Sequence, residues 1–268
     1  MDGPRNSGRV AVEGGGARRV HARGLSAKQR FHLAAFLILV AALPLAAQDD
    51  ISFDPAITQA EFTKFSRLLA QGIYATPVDP ARARGLLGFD IGIAATAVPV
   101  DPSALYWLHS VNDDFTVSDY VVVPRIVVSK GLSKATISGM YSRVQSADVT
   151  TWGGALDIPI INGGLLKPTL ALRAAYSTLS GSDVYDLDTY GAEIFLSKGF
   201  GPITPYVAAG RMQIDATGTV SPTITLHEGG GFNRYTAGVK LSLLFPKIVF
   251  EATQAEERSY AVKVSFGL

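Results

Sequence analysis

The sequence predicts an all-β protein, an up-and-down antiparallel transmembrane β-barrel of about ten strands preceded by a short amphipathic helix. Three observations support this fold class. From residue 86 onward, segments of about ten residues alternate apolar and polar positions between turn residues. The connections between these segments alternate between tight and long. Aromatic residues lie near the ends of the apolar faces, away from their middles.

Ten segments carry the alternating pattern. In the fifth segment, Leu170 and Leu172 share one face and Arg173 lies on the other, because successive side chains of a strand point to opposite faces. The predicted strands are 86–98, 119–129, 134–144, 149–160, 165–178, 186–198, 203–215, 232–245, 247–255 and 258–268. Together they form one predicted domain, the barrel of residues 86–268.

The lengths of the connections indicate a membrane protein. Alternation alone leaves open which face is inside, since a soluble barrel hides its apolar face and a membrane barrel displays it. Tight connections at 130–133, 162–164, 199–202 and Pro246 follow every even-numbered strand except the last. The others are longer on average, including 99–118, 179–185 and 216–231. Short turns on one membrane face and long loops on the other produce this order.

The aromatic residues predict two belts at the two bilayer interfaces. The belt at the long loops contains Tyr120, Tyr141, Trp152, Tyr176, Tyr190, Tyr235 and Tyr260, and the belt at the short turns contains Phe89, Tyr206, Phe245 and Phe266. These rings share the apolar phase of their strands, which a membrane barrel turns toward lipid.

The opposite face consists of small residues with embedded charges, as expected for a narrow lumen. The predicted lumen charges are Asp90, Arg125, Asp157, Arg173, Glu193, Arg211, Lys240 and Glu251, with Lys263 on the same face. Opposite charges pair in a low dielectric, so a closed or gated barrel is favoured over a constriction that selects small solutes.

The first 47 residues have the layout of a leader and signal peptide. Lys28 and Arg30 precede an apolar stretch, 33–43, which is too short to span a bilayer, and small residues lead to cleavage after Ala47. Residues 1–26 are interpreted as a mis-assigned start, with translation beginning downstream; a basic nucleic-acid arm and a disordered leader are the alternatives. Residues 48–85 are predicted to be a periplasmic helix and linker.

Removal of residues 1–47 leaves 17 basic and 21 acidic residues, a net charge of −4. No cluster of basic residues then remains, which argues against nucleic-acid binding. The chain contains no cysteine, which excludes disulfides and lipidation on an N-terminal cysteine.

The signal layout, the alternating strands, the short turn 198–202 and the aromatic-rich final strand resemble bacterial outer-membrane β-barrel proteins. The resemblance covers 86–268. It implies the outer membrane of a Gram-negative bacterium, with outer-membrane lipid and the barrel assembly machinery as partners. In that class the last strand commonly ends in an aromatic residue, whereas this one ends Phe266-Gly267-Leu268, which weakens the assembly signal. Both termini are expected in the periplasm.

Residues 54–74 place apolar side chains at near-helical spacing and predict an amphipathic helix. Three roles are open: a cap on the periplasmic rim, a plug inside the lumen, or a partner-binding helix. Packing on or into its own barrel is favoured.

Chemistry-bearing residues are sparse. His109 with Asp113 and Asp114, in one long loop, invites comparison with outer-membrane proteases, and Ser110 follows the histidine directly. Catalysis requires convergent geometry, which adjacency in sequence does not provide. The residues form no metal-ligand pattern, and no cofactor is expected.

The sequence therefore predicts a non-enzymatic outer-membrane barrel with a structural role or a role as a passive pore for a small solute of unknown identity. Two alternatives remain: an outer-membrane protease or lipid hydrolase acting at the outer rim, and a soluble secreted barrel that binds an apolar ligand.

Overall fold

The computed structural model describes residues 51–111, 119–144, 149–164, 166–243 and 246–268, and confirms the barrel. In these ranges, helix α1 spans Gln59–Ile73 and helix α2 spans Leu105–Leu108. The strands are β1 (Phe89–Pro99), β2 (Tyr120–Leu132), β3 (Ala135–Val144), β4 (Val149–Ile161), β5 (Thr169–Ser180), β6 (Tyr185–Ser197), β7 (Ile203–Ser221), β8 (Ile224–Glu228), β9 (Gly231–Ser242), β10 (Lys247–Gln254) and β11 (Arg258–Gly267). The predicted signal peptide and its cleavage site near Ala47 lie outside the described residues.

Ten of these strands close into an antiparallel ring. Strands β1 to β7 pair in sequence order, β7 pairs with β9, and β9, β10 and β11 follow in order. Pairing of β1 with β11 completes the ring, with Ile93 opposite Val264. Full closure leaves no free sheet edge, which is how up-and-down barrels satisfy their backbone groups.

Strand β8 lies outside the ring and corrects one prediction. Residues 216–231 were predicted to be a long loop, but Ala216 pairs with Glu228 and Thr219 with Thr225 in a hairpin made by the last part of β7 and β8. Threonine, valine and isoleucine continue through this region and favour extended backbone. The hairpin lengthens the long-loop end of the barrel.

The two ends of the barrel are named by their connections. The short-turn end carries the β2–β3, β4–β5, β6–β7 and β9–β10 connections, and the long-loop end carries the others. Among the described residues, neither helix is long and apolar enough to cross a membrane.

The outward face is apolar and ringed by aromatic side chains. Large outward residues include Ile93, Ile126, Leu156, Leu172, Ile194, Val207 and Phe250. The seven aromatic residues predicted at the long-loop end are 42–56% exposed, and Phe89 and Phe266 are exposed at the short-turn end. Tyr206 was also predicted in the outer belt, which is wrong, because its ring is buried inside the barrel. Phe245 lies outside the described residues.

Candidate functional site: the plug segment in the lumen

Residues 53–84, here called the plug segment, run through the lumen from the long-loop end to the short-turn end. At the long-loop end, the Asp54 N–H donates to the carbonyl oxygen of His109 at 2.9 Å. At the other end, the Arg84 N–H donates to Oγ1 of Thr136, at the start of β3, at 3.1 Å. The chain then turns into β1, and Nζ of Lys130 donates to the Leu86 carbonyl.

This path bears on two predictions. Residues 48–85 were predicted to be a periplasmic helix and linker, with the helix packed on or into its own barrel, and the structure places residues 51–85 within or at the mouths of the lumen. Ile51, the first described residue, pairs with Val111 at the long-loop end, so it lies at the opposite end from Leu268. Of the three roles considered for the helix, the structure places it as a plug.

Helix α1 forms because its start is capped and one face is strongly apolar. The Thr58 side chain accepts from the Glu61 N–H, and the Glu61 carboxylate accepts from the Thr58 N–H, which is a capping box. Phe62, Phe65 and Leu68 recur at helical spacing and are buried. The helix ends before Pro77, which removes a backbone donor.

The apolar face of α1 packs into an aromatic cluster near the long-loop end. Phe53, Phe62 and Phe65 surround Tyr185 of β6 with ring centroids 5.7, 6.0 and 5.8 Å away, in edge-to-face geometry. Trp107 of α2 lies 5.8 Å from Phe65 and covers the cluster. Buried aromatic pairs of this kind contribute about 0.5–1.5 kcal/mol each beyond their area.

The polar face of α1 is tied to the long-loop rim by ion pairs. Nζ of Lys64 lies 2.8 Å from Glu257 and 3.1 Å from Glu256. Arg67 pairs with Glu228 of β8 at 3.0 Å. Burial lowers the pKa of Lys64, but the hydrogen bonds to the two glutamates outweigh this effect and raise it overall.

Gln71 fastens the last turn of α1 to the β10–β11 connection. Its Nε2 donates to the Glu257 carbonyl and to Oγ of Ser259, both at 2.8 Å, and its Oε1 accepts from the Glu257 N–H. The side chain is buried with both ends of its amide used, so it fixes the depth of the helix.

Arg125 of β2 caps the C-terminal end of α1. Its guanidinium donates to the carbonyl oxygens of Tyr74 at 2.9 Å and Gly72 at 2.7 Å, and to Oγ1 of Thr96. Those carbonyls lack partners within the helix, and a cation there also suits the helix dipole. The predicted lumen residue Arg125 is therefore inside, but it holds backbone and not a carboxylate.

Asp79 is the centre of the charged half of the lumen. Its carboxylate lies 2.7 Å from Nζ of Lys240 and 3.1 Å from Nζ of Lys263, and it also pairs with Arg84. The preceding residue, Val78, has a φ of +50°, a strained conformation for a β-branched residue. This turn aims Asp79 at the barrel wall.

A second carboxylate extends this network toward the short-turn end. Asp90 of β1 lies 3.2 Å from Nζ of Lys263 and accepts from Oγ of Ser265 at 3.1 Å. Lys240, Lys263 and both aspartates are almost fully buried. Lys263 of the wall is thus shared between a carboxylate of the plug segment and a carboxylate of the wall.

Arg173 and Asp157 form a bidentate pair within the wall. Two guanidinium nitrogens lie 2.6 and 2.9 Å from the carboxylate oxygens, and Nη2 also donates to the Asp79 carbonyl at 2.9 Å. The guanidinium stacks over Phe195, 4.3 Å from the ring centroid. Arg173 therefore binds both a carboxylate of the wall and the backbone of the plug segment.

The other two predicted lumen carboxylates each contact a side chain two strands away around the ring. Glu193 of β6 pairs with Arg234 of β9 at 3.4 Å, and Arg234 lies over the ring of Tyr74. Glu251 of β10 accepts from the Tyr206 hydroxyl at 2.7 Å. Tyr206 is thus a lumen residue, and its buried hydroxyl has a hydrogen-bond partner there.

Arg211 was predicted in the lumen, which is wrong. It is exposed on the outward face of β7 and donates to the Gly231 carbonyl and the Asn233 side chain. Met212, one residue on, is buried inside. Both faces of β7 carry small residues around Ala208 and Ala209, so the composition of the two faces did not show which one points into the lumen.

Sequence reasoning missed Asp79 and Arg84. Both lie in 77–84, a stretch with neither strand nor helix periodicity, where prolines at 77 and 80 indicate a linker. Only the three-dimensional path of the plug segment brings Asp79, with Arg84 beside it, to Lys240 and Lys263, which are more than 150 residues away in sequence.

The catalytic candidates do not converge within the described residues. Nδ1 of His109 lies 3.2 Å from Glu61 of the plug segment, and Asp113 and Asp114 lie outside the described residues. Oγ of Ser110 donates to the Tyr106 carbonyl and does not face the histidine as a nucleophile would. Among the described residues, no group of three or more metal-ligating side chains converges.

The Glu61 carboxylate is the titratable group that joins α1 to this loop. The hydrogen bond from the Thr58 N–H holds its pKa below the usual range, and the contact with His109 adds to the effect. The histidine–carboxylate contact is thus a structural link between the plug segment and the 101–111 loop.

No protein-family model and no curated protein matches the chain. Among solved structures, it is similar to the N-terminal β-barrel domain of Pseudomonas aeruginosa OprF, with 13% identity, 67% of this chain and 97% of that chain covered, and a TM-score of 0.32. It is also similar to Ail, the attachment invasion locus protein of Yersinia pestis, solved with the heparin analogue sucrose octasulfate. There the identity is 10%, the coverage 67% and 95%, and the TM-score 0.28. At these scores neither likeness carries an argument about this chain.

Proposed function

We propose that this chain is an outer-membrane β-barrel protein of a Gram-negative bacterium, with a structural role and a lumen closed by its own plug segment. The observation that carries the proposal is the orientation of the two faces. Isoleucine, leucine, valine and aromatic side chains point outward along the ring, whereas Arg173, Lys240, Lys263 and the carboxylates near them point inward. In water, so large a continuous apolar surface is unfavourable, but a bilayer matches it.

The same observation argues against a soluble barrel that binds an apolar ligand. Such a barrel requires its apolar face inside, around a cavity. Here the interior holds Asp79, Arg173 and Lys240 in buried ion pairs. An apolar ligand would have to displace these pairs and leave their charges without partners, which costs several kcal/mol.

The plug segment favours a closed barrel over a passive pore for small solutes. It contacts the wall at both ends of the lumen and through Arg125 and Asp79 in between. A solute would need this segment to move. We therefore propose a barrel that is closed at rest, with lipid around it and the assembly machinery acting on its last strand.

Cell fractionation followed by gel mobility with and without heating tests the membrane proposal. We expect the chain in the outer membrane, with a folded form that migrates differently from the heated form. A soluble periplasmic protein without a mobility shift would overturn it.

Planar-bilayer conductance then tests closure separately. We expect the purified full chain to give no steady channel steps. Stable open channels from the unmodified chain would refute the closed lumen but leave the membrane location intact.

A further inference from the structure

The short-turn end of the barrel carries lysines on three of its four connections. Lys130 lies on the outward face of β2 near its end, and Lys134 lies in the β2–β3 turn. Lys167 lies in the β4–β5 turn and Lys198 at the start of the β6–β7 turn. The first three are exposed and Lys198 is half-buried. These four residues are here called the lysine ring.

Exposed carboxylate side chains are missing from this end among the described residues. Asp90 and Asp157 are the carboxylates nearest to it, and both are buried in the lumen with cations of the wall. Lys130, Lys134 and Lys167 therefore present positive charge at a rim where the described residues include no exposed carboxylate side chain.

The long-loop end has the opposite balance. Its described acidic residues are Asp54, Glu61, Asp101, Asp119, Asp183, Asp186, Asp188, Asp215, Glu228, Glu256 and Glu257, and its basic residues are Lys64, Arg67, Arg143, Arg211 and Arg258. The barrel is thus polarised along its axis, positive at the short turns and negative at the long loops.

Apolar side chains interleave with the lysine ring. Leu132, Leu166 and Phe200 are 46%, 89% and 62% exposed and lie in the same turns as the lysines. Large apolar side chains on turns are costly in water but suit the boundary between acyl chains and headgroups. Lysines at that depth extend their ammonium groups to the level of the phosphates.

We propose that the lysine ring binds anionic phospholipid headgroups in the leaflet that meets the short-turn end. This inference rests on the proposed membrane location. Lys130 donates to the Leu86 carbonyl, which leaves further ammonium protons for phosphate oxygens. The proposed selection is for negative charge and not for headgroup shape.

Site-specific quenching tests the inference, because the chain contains no cysteine and a single introduced one can carry a fluorophore. Gly199→Cys places the label among the lysines, where an added Cβ meets no close neighbour. Ser180→Cys, at the exposed end of β5, places the matched control at the long-loop end. Each labelled barrel is reconstituted in phosphatidylcholine vesicles containing spin-labelled phosphatidylglycerol or spin-labelled phosphatidylcholine.

We expect phosphatidylglycerol to be enriched about fivefold over phosphatidylcholine at position 199, the effect of one basic residue at a membrane surface, and not at position 180. Changing the four lysines to glutamine is expected to abolish the enrichment, and so is high salt. Equal enrichment at both positions, or enrichment that survives the glutamine variant, would overturn the inference. Failure of spin-labelled phosphatidylcholine to quench either label would instead show that the barrel is not inserted, which contradicts the proposed function.

Discussion

The outer wall of the barrel and its filled lumen are built on different principles. The wall is stabilised by many similar apolar side chains, such as Leu172 and Ile194, whose value lies in their summed area. The lumen is held by a few charged groups, above all Asp79 and Arg125, each with several partners. Single substitutions should therefore matter more in the lumen than on the wall, unless they bring charge into the lipid.

The largest effect is expected for Asp79→Asn. The change removes the charge that Lys240, Lys263 and Arg84 share, and an uncompensated buried cation costs about 3–5 kcal/mol. The free energy of unfolding, measured from urea titrations in detergent, should fall by that amount, and conductance steps should appear as the plug segment loosens. Asp101→Asn, at an exposed loop position, is the control. Unchanged stability and no conductance would show that the plug segment does not depend on this network.

On the wall, Leu172→Arg tests whether the outward face meets hydrocarbon. An arginine on the lipid face costs about 2–4 kcal/mol near the midplane of a bilayer. The same change at Leu105, an exposed residue of α2 in a long loop, should cost little. Equal effects at the two positions, in the free energy of unfolding from lipid vesicles, would contradict the membrane orientation of the wall.

Arg125→Gln should have an intermediate effect. It removes the donors to the carbonyls of Gly72 and Tyr74, and a buried carbonyl without a partner costs about 1–3 kcal/mol. Proteolysis of residues 59–76 in the folded barrel should become faster, because the end of α1 is no longer held. Arg258→Gln, at an exposed site on β11, should leave the cleavage rate unchanged. Equal protection of α1 in both variants would show that Arg125 does not hold the helix.

The wall was more predictable from the sequence than the lumen for a physical reason. The two-residue period of Leu170, Leu172 and Arg173 is a local property of the chain, so strand positions and the outward face follow from it. The prediction of inward and outward positions was wrong on β7, where alanines on both faces hide the two-residue period. Arg211 was predicted inside and lies outside, whereas Tyr206 was predicted outside and lies inside.

The helix could also be predicted from the sequence, because its apolar spacing and the Thr58–Glu61 capping box involve only residues close together in the chain. The position of the helix in the lumen could not be predicted in this way. That place depends on Asp79 meeting Lys240 and on Gln71 meeting Ser259, contacts between residues more than 150 positions apart. The periodicity of apolar residues along the chain carries no information about such long-range contacts.

The smallest expected effect is the pH dependence of the contact between Glu61 and the loop. The pKa of Glu61 is lowered in the folded state, so the ionised form stabilises the fold. Its contribution is complete above about pH 4.3, the ordinary pKa of a glutamate, and is lost as the pH falls through the lowered folded value. Glu61→Gln preserves a capping box, because glutamine also accepts from the Thr58 N–H.

The difference in the free energy of unfolding between the two proteins should be about 0.2–1 kcal/mol at pH 6, since the pair with His109 is partly exposed, and should shrink toward zero at pH 3. The comparison isolates Glu61 because every other carboxylate titrates in both proteins. A difference that stays constant from pH 6 to pH 3 would mean that the glutamate acts by its shape alone. The contact between Glu61 and the loop would then be held, like the wall, by packing and not by charge.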